Sequence, residues 1–360
     1  MRRFPVAFSK DVEGLTLGRA GLALGAVLCL AACQPLPSSK AIKPPAAKIC
    51  LPNRPIPNAA PGTAGMVLIK GGEFQMGARA MRAEEGPPRH IRVGDFWMDS
   101  TEVTNGDFAR FIKATGYVTQ AERPLDPKAY PGLTGADLEP SAIVFVGSAD
   151  NVAAGPGAWW RVVRGAEWRH PQGPKSSIVG QDQLPVVQIG WEDAMAYAKW
   201  LGRDLPTEAE WEYAAQGGKP ATRFVWGDAP LNNTHPQANV WQGTFPGFDS
   251  GDDGYRARTA PVGCFPANGF GLYDMAGNVW EWTRDWYRPN LDPHDPNGGP
   301  QDKLALDPGD PGVRKHVIKG GSFLCAPNYC FRYRPAAREP GPTDTGESHI
   351  GFRTVLRIKN

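Results

Sequence analysis

Two cysteines stand five positions apart in residues 319–334, "KGGSFLCAPNYCFRYR", of a chain with six cysteines in all. Cys325 and Cys330 admit more than one chemistry. In an exported protein, the spacing alone reads most simply as a disulfide. Two thiolates on a short segment also make a soft seat for monovalent copper in near-linear geometry, with room for a third sulfur. Zinc is less natural, because no cluster of His, Cys or carboxylates nearby completes a tetrahedral set. His316 and His349 flank the region without ligand spacing. The disulfide and copper readings are compatible, since such a pair can oxidise when metal-free.

A second kind of chemistry is carried by oxygen. The stretch "DMAGNVWEW" offers Asp274 and Glu281 with backbone carbonyls between them, and "ANVWQG" with "DSGDDGY" offers Asn239 and Asp253. Calcium takes six to eight oxygens and mixes carboxylate, amide and carbonyl ligands. The competing use of the same residues is in turns and solvated loops, the usual fate of "SGDDG".

These groups need elements to hold them. From Met66, "MVLIKGGEFQMG" reads as a strand, a Gly-Gly turn and a second strand, and "HIRVGDFWMDS" supplies another strand. Thr104 caps a helix over "NGDFARFIKATG", where Phe108, Phe111 and Ile112 form one stripe and Gly116 is the stop. A second helix, "WEDAMAYAKWLG", puts Ala194, Tyr197, Ala198 and Leu201 on one face and ends at Gly202. In "LPTEAEWEYAAQGG", Thr207 and Glu210 make a capping box, Trp211, Ala214 and Ala215 face inward, and Gly217-Gly218 ends the helix. Beyond Gly218 the pattern is short strands and long loops. The expected fold is α+β, a single loop-rich domain with little regular secondary structure.

Composition agrees. With 360 residues, 41% hydrophobic and 21% charged, the chain can bury one large core or two modest ones. A net charge of +2 from scattered Lys and Arg gives no electrostatic case for a nucleic-acid partner. The 43 Gly, 36 Pro and 12 Trp point to a turn-rich domain held by aromatic packing. No repeat with a period of about 20–50 residues is present.

The N-terminus reads as a targeting segment. Basic Arg2 and Arg3 precede an apolar stretch at residues 20–33 that ends in Leu30-Ala31-Ala32-Cys33, which resembles the bacterial lipobox. Residues 1–32 are then a signal peptide, and Cys33 carries the lipid that holds the protein to a membrane. The alternatives are an ordinary signal cut near Ala32 or an uncleaved anchor, although the run is short of the ~20 residues of a spanning helix. Gln34 gives no mark for inner-membrane retention. Residues 33–62 are Pro/Ala-rich and read as a tether, with Cys50 inside it as a free thiol. Residues 63–360 form the folded domain, expected to be exported, periplasmic and membrane-anchored.

The segments "MVLIKGGEFQMG", "EVTNGDFARFIKATGY", "LPVVQIGWEDAMAYAKWLGRDLPTEAEWEYAAQGG", "ANVWQGTFP", "GFGLYDMAGNVWEWTRDW", "KGGSFLC" and "GFRTV" resemble, in that order, the formylglycine-generating enzyme family. The likeness covers about residues 66–355. Much of it belongs to a wider superfamily with C-type-lectin-like members. More specific are "WWRVVRGAEWRHPQGP", "ANVWQGTFP" and the cysteine pair followed by "YRPAAR".

This resemblance implies a reaction: oxidation, with dioxygen, of a cysteine in a sulfatase motif Cys-x-Pro-x-Arg to Cα-formylglycine. It implies that Cys325 and Cys330 hold copper(I), that the substrate thiolate enters as third ligand, and that a thioaldehyde forms and hydrolyses. Ser322 matches a family residue beside the copper, and Trp280 matches the aromatic wall of the oxygen pocket, a position that core packing explains equally well. One implied calcium ion takes Asn239, the Val240 carbonyl, Asp253 and the Tyr255 carbonyl. The other takes Asp274, the Gly277 and Val279 carbonyls, and Glu281. Both would be structural. The implied partner is an unfolded sulfatase polypeptide, and the implied state is monomeric.

The chain also departs from the family pattern. Vertebrate members carry a His directly after the first copper cysteine, where this chain has Ala326. They carry further cysteines in structural disulfides, where this chain has Pro335 and Thr354. Cys264 has no evident partner in the domain and is expected to be buried. Arg332, Arg334 and Arg338 are expected to brace the fold rather than read substrate. Two other function classes fit the same export signal: a non-catalytic lipoprotein of this fold, and a C-type-lectin-like module binding through calcium-ordered loops. Neither needs Cys325 and Cys330 together.

Overall fold

The strand pairing near the N-terminus follows from two glycines. In a computed structural model of the chain, which describes residues 62–358 apart from Ala129, Pro131, 290–305 and 308–309, the first four strands are β1 (Met66–Ile69), β2 (Gly72–Met76), β3 (Arg89–Val93) and β4 (Phe96–Asp99). The signal, lipobox and tether expectations lie outside those residues. The strands at 66–69 and 72–76 are where the sequence puts them, but they do not pair with each other. β1 pairs with β4 and β2 with β3, both antiparallel. "HIRVGDFWMDS" is thus two strands, broken at Gly94. Gly71 lies against that break: a Cβ there would come within 2.4 Å of the Gly94 carbonyl carbon. Asp95 takes the Gly71 N–H and the Lys70 ammonium, each at 2.8 Å, which fixes the crossing. The Gly-Gly pair is a passage between two sheets, not a hairpin turn.

The helices follow their caps. Thr104 accepts the Asp107 N–H at the start of α1 (Asn105–Thr115), and Gly116 ends the helix at φ 66°. After the antiparallel pair β5 (Ser141–Phe145) and β6 (Trp160–Arg164) comes α2 (Trp191–Trp200), where Asp193 caps the Gly190 N–H at 2.9 Å. α3 (Glu208–Gln216) has the expected box, Thr207 with Glu210, and Gly217 closes it at φ 62°. Phe108 and Phe111 on α1 meet Tyr197 on α2 at centroid distances of 5.9 and 5.6 Å, joining the two helices through aromatic contacts.

The remaining strands are β7 (Trp280–Trp286), β8 (Leu306–Asp307), β9 (Asp310–Lys319), β10 (Glu339–Pro342), β11 (Ile350–Gly351) and β12 (Val355–Arg357). A sheet in the order β10-β9-β7-β11, with β8 on β9, forms the centre, and β12 joins β4 in a second sheet. The outcome is the mixed, loop-rich α+β fold expected. No helix among the described residues is long and apolar enough to cross a membrane.

Buried ion pairs tie the loops to this frame. Arg334 pairs with Glu85, Arg338 with Glu208 at 2.7 Å, and Arg332 with Glu84 at 2.8 Å and Glu339 at 2.6 Å. All three guanidiniums are buried, so the arginines after the cysteine pair brace the fold as expected. Lys319, fully buried at the end of β9, reaches Glu212 at 3.0 Å.

Candidate functional site

β9 delivers the chain to Lys319, and two glycines then turn it. Gly320 and Gly321 have φ of 94° and 74°, a region side chains disfavour. A Cβ on Gly321 would meet the Tyr333 backbone at 3.0 Å, so the chain passes there only as glycine. Ser322 then opens a tight turn: its carbonyl accepts the Cys325 N–H at 2.9 Å and its hydroxyl accepts the Leu324 N–H at 3.3 Å. The Ser322 N–H in turn points at the Cys325 sulfur, 3.4 Å away.

Cys325 and Cys330 are free, and their sulfurs lie 2.8 Å apart. A disulfide bond measures about 2.05 Å, so the pair is joined by a shared proton and not by a covalent bond. Cys325 is fully buried, whereas Cys330 is partly exposed. The hydrogen bond to Cys325 pushes the Cys330 thiol well above its usual range, with burial adding to the shift. Among the described residues no group of three His, Cys, Asp or Glu side chains is arranged to hold a metal. A pair of soft sulfurs with no third such side chain grouped with it among the described residues fits a low-coordinate monovalent copper ion better than a tetrahedral zinc.

Aromatic rings wall the pair. Ala326 is fully buried in a cluster with Trp159, Trp241, Phe245, Phe323 and Leu324, so the position after the first cysteine is an apolar packing site. Tyr329, 43% exposed, stacks on Phe245 at 4.4 Å and meets Trp159 edge-on at 5.4 Å. The tyrosine next to Cys330 thus forms the rim. Trp280 is buried at the start of β7, in the same apolar cluster as Cys325 and Tyr333. The two histidines play no part as ligands. His316 is sandwiched between Trp191 and Trp286 at 3.8 and 3.9 Å, and His349 lies against Trp160 at 4.7 Å.

The oxygen groups also come together. Asp253 accepts the Val240 N–H at 3.3 Å and the Tyr255 N–H at 2.8 Å, which places Asn239, Val240, Asp253 and Tyr255 in one cluster. The Asn239 Oδ1 is buried without a partner. Burial, with Asp249 nearby, pushes Asp253 up to about 7. In the second set, Asp274 keeps one oxygen for the Gly263 N–H at 2.6 Å and leaves the other buried and unpartnered. Glu281 is occupied by Arg353, at 2.6 and 2.7 Å, and by the Trp211 indole N–H at 2.8 Å.

Sequence reasoning missed Glu102, which is fully buried beside Asp274 and has an unpartnered oxygen of its own. Burial raises it well above the usual carboxylate range, and the Asp274 charge adds to this. Glu102, Asp274 and Glu281 thus share a pocket with one guanidinium, Arg353. Three carboxylates against one cation leave a negative surplus that a bound cation or protons must neutralise. The unpartnered oxygens of Asn239 and Asp274 are of the kind calcium takes, although both Glu281 oxygens are committed to Arg353 and Trp211. Asn278 was also missed. Its amide nitrogen donates to Glu102 at 3.1 Å, its side-chain oxygen accepts from Asn239 at 3.1 Å, and its carbonyl accepts the Phe323 N–H at 2.9 Å. One residue, through its side chain and its backbone carbonyl, joins both oxygen sets to the thiol-bearing turn.

Cys264 is half-buried rather than buried and is disulfide-bonded. Cys325 and Cys330 are both free, so the described residues hold no partner for it, as expected.

Comparison with known proteins places this geometry. Residues 53–358 match the sulfatase-modifying factor enzyme 1-like domain. A formylglycine-generating enzyme of Mycobacterium tuberculosis is 50% identical over 293 residues, covering 81% of this chain and 97% of that protein. One from Streptomyces coelicolor is 43% identical over 306 residues, covering 83% and 91%. A bovine protein named inactive C-alpha-formylglycine-generating enzyme 2 is 40% identical over 296 residues, covering 81% and 87%. The structure of PvdO from Pseudomonas aeruginosa superposes with a TM-score of 0.52 at 27% identity, covering 81% of this chain and 94% of that one.

Proposed function

Because the chain belongs to the family of sulfatase-modifying factor enzyme 1-like domains, we propose that it oxidises a cysteine of a sulfatase polypeptide to formylglycine and so activates that sulfatase. Family membership does not carry this alone, since a relative named inactive is 40% identical. The observation that carries it is the free Cys325–Cys330 pair at 2.8 Å, the first residue fully buried and the second partly exposed. Neither a structural lipoprotein nor a lectin-like binding module has a use for two adjacent unoxidised thiols.

The finer chemistry belongs to the same proposal. Cys325 and Cys330 hold copper(I), and the substrate motif is Cys-x-Pro-x-Arg. When bound, copper supplies a soft attachment for the substrate sulfur and one-electron access to dioxygen. The chain's own residues prepare that seat. The Ser322 N–H points at the Cys325 sulfur, and the proton shared by the two sulfurs would leave when metal enters. Ala326, Phe245 and Trp159 keep one side of the turn dry, and Tyr329 closes the rim. Ser322 presents its hydroxyl to the reacting groups, and Trp280 lines the oxygen side. The substrate carbon that bears sulfur is oxidised, and water replaces the sulfur on hydrolysis.

Two calcium ions complete the proposal as structural ligands of the loops. Asn239, Val240, Asp253 and Tyr255 form one set. Asp274, Gly277, Val279 and Glu281 form the other, with Glu102 beside it. The enzyme acts outside the cytoplasm, as a monomer held to the membrane by a lipid on Cys33. There it meets clients as they emerge unfolded. Co-expression with a sulfatase tests the function: sulfatase activity rises with the wild-type chain and not with Cys330→Ala. Equal activation by both chains contradicts the reading.

A further inference from the structure

Cys264 is disulfide-bonded, while Cys325 and Cys330 are both free. Within the chain that leaves Cys29, Cys33 and Cys50 as partners. Cys29 lies in the apolar run of the signal, which cleavage removes, and Cys33 is the lipobox cysteine. Cys50 remains. It stands in the Pro/Ala-rich stretch, twelve residues before Gly62.

The fold brings the two ends of such a bond to one side of the molecule. Arg203, just beyond α2, donates to the Gly62 carbonyl at 2.8 Å and to the Ala64 carbonyl at 3.3 Å, which fixes where the chain enters the domain. The Gly65 carbonyl then accepts the Ser100 N–H at 2.9 Å. Thr101, the next residue, packs on the loop that carries Cys264: a Cβ on Gly263 would lie 3.8 Å from the Thr101 methyl carbon. The corner Ser100–Thr101 thus lies between the point of entry and Cys264. Twelve extended residues reach about 40 Å, more than enough to pass that corner. Cys264 is held in place by its neighbours. Its sulfur is 3.4 Å from the Tyr255 hydroxyl, and it packs on a cluster of Tyr255, Ala260 and Phe265.

Resting on the reading of residues 1–33 as a cleaved signal that ends at a lipid-bearing cysteine, we infer that Cys50 and Cys264 form a disulfide that staples the tether to the loop 255–265. Cys50 is then not a free thiol. The bond forms by exchange with the disulfide of an exported oxidant protein. The two chain thiols are oxidised, and their two hydrogens pass to the oxidant's sulfurs, which become a dithiol. Two consequences follow from the position. The bond closes a loop of roughly 200 residues, long enough to restrict the unfolded chain strongly. It also shortens the leash. Between Cys33 and Gly62 the chain can extend about 100 Å, whereas between Cys33 and Cys50 it can extend only about 60 Å. The staple therefore holds the domain much closer to the membrane than the tether's full length allows.

The test is peptide mapping by mass spectrometry of the full chain, expressed with its own export signal and purified without reductant, with free thiols alkylated first. The expected result is a linked pair of peptides carrying Cys50 and Cys264, which reduction separates. Cys50→Ser should turn Cys264 from fully protected to fully alkylated. It should also lower the melting temperature by about 5 °C, and reductant should bring the wild-type chain down to the same value. A Cys264 that is alkylated in the unreduced wild-type chain, or linked to Cys29 or Cys33, overturns the pairing. Equal melting of the wild-type chain and Cys50→Ser without reductant overturns the staple. The mass of the N-terminal peptide reports the lipid separately. A Cys50–Cys264 link beside an unmodified Cys33 sustains the disulfide and sinks the lipid reading alone.

Discussion

The Cys325 and Cys330 sulfurs stand 2.8 Å apart and share a proton, with the Ser322 N–H directed at the first of them. That proton must leave for a metal to enter between them. Binding of copper(I) should therefore release protons and strengthen with rising pH. Because the Cys330 thiol lies well above its usual range, the gain should continue to a higher pH than for an isolated thiol. Competition with a copper(I) chelator at several pH values measures this. The expected stoichiometry is one ion per chain, with at least tenfold weaker binding (about 1.4 kcal/mol) in Cys330→Ala. Undiminished binding in that variant contradicts the two-thiolate seat.

Calcium should cancel the pH dependence of stability. Burial is the main cause that lifts Asp253 to about 7 and Asp274 to about 6. A carboxylate raised above its unfolded value of about 3.9 stabilises the fold while protonated, so that contribution is full below about pH 4. It is lost as pH rises through about 6 to 7. The chelator-treated chain should therefore melt several degrees lower at pH 8 than at pH 5. Added calcium, which binds the ionised carboxylates, should remove the difference. Calorimetry with and without calcium decides. Identical melting at pH 8 in both conditions counts against the sites.

Lys319 should be costly to remove. Its ammonium is fully buried, 3.0 Å from Glu212 and 3.8 Å from Glu208. Lys319→Met strands a buried carboxylate and should destabilise the domain by about 3–5 kcal/mol in urea titration. A loss below about 1 kcal/mol would mean that water or another cation already serves Glu212.

Gly321→Ala should disturb the site more than its size suggests. The added methyl group meets the Tyr333 backbone at 3.0 Å, at φ 74°. The strain is of order 1–3 kcal/mol, and relief moves Ser322 and with it Cys325. Copper(I) affinity should fall about tenfold alongside the stability loss. Full affinity with reduced stability would separate the turn from the seat.

Local chemistry made much of this legible in the sequence. Thr104 and Thr207 announce their helices because a capping box is satisfied within four residues. The thiol pair is equally local. Pairing was not legible: Gly71 looks like a turn glycine and Gly94 falls within an apparent single strand, and only the approach of the two backbones shows that β1 seeks β4. Glu102 reads as a surface acid in "TEVTN" and is buried, because its environment comes from Asp274 and Asn278, over 170 residues away.

The most direct measurement is mass spectrometry of a Cys-x-Pro-x-Arg peptide after incubation with the chain, copper, a reductant and oxygen. Loss of the cysteine sulfur with gain of an aldehyde is the expected result, and Cys325→Ala should abolish it. A peptide left unchanged by the copper-loaded wild-type chain, or converted equally by Cys325→Ala, contradicts the central claim.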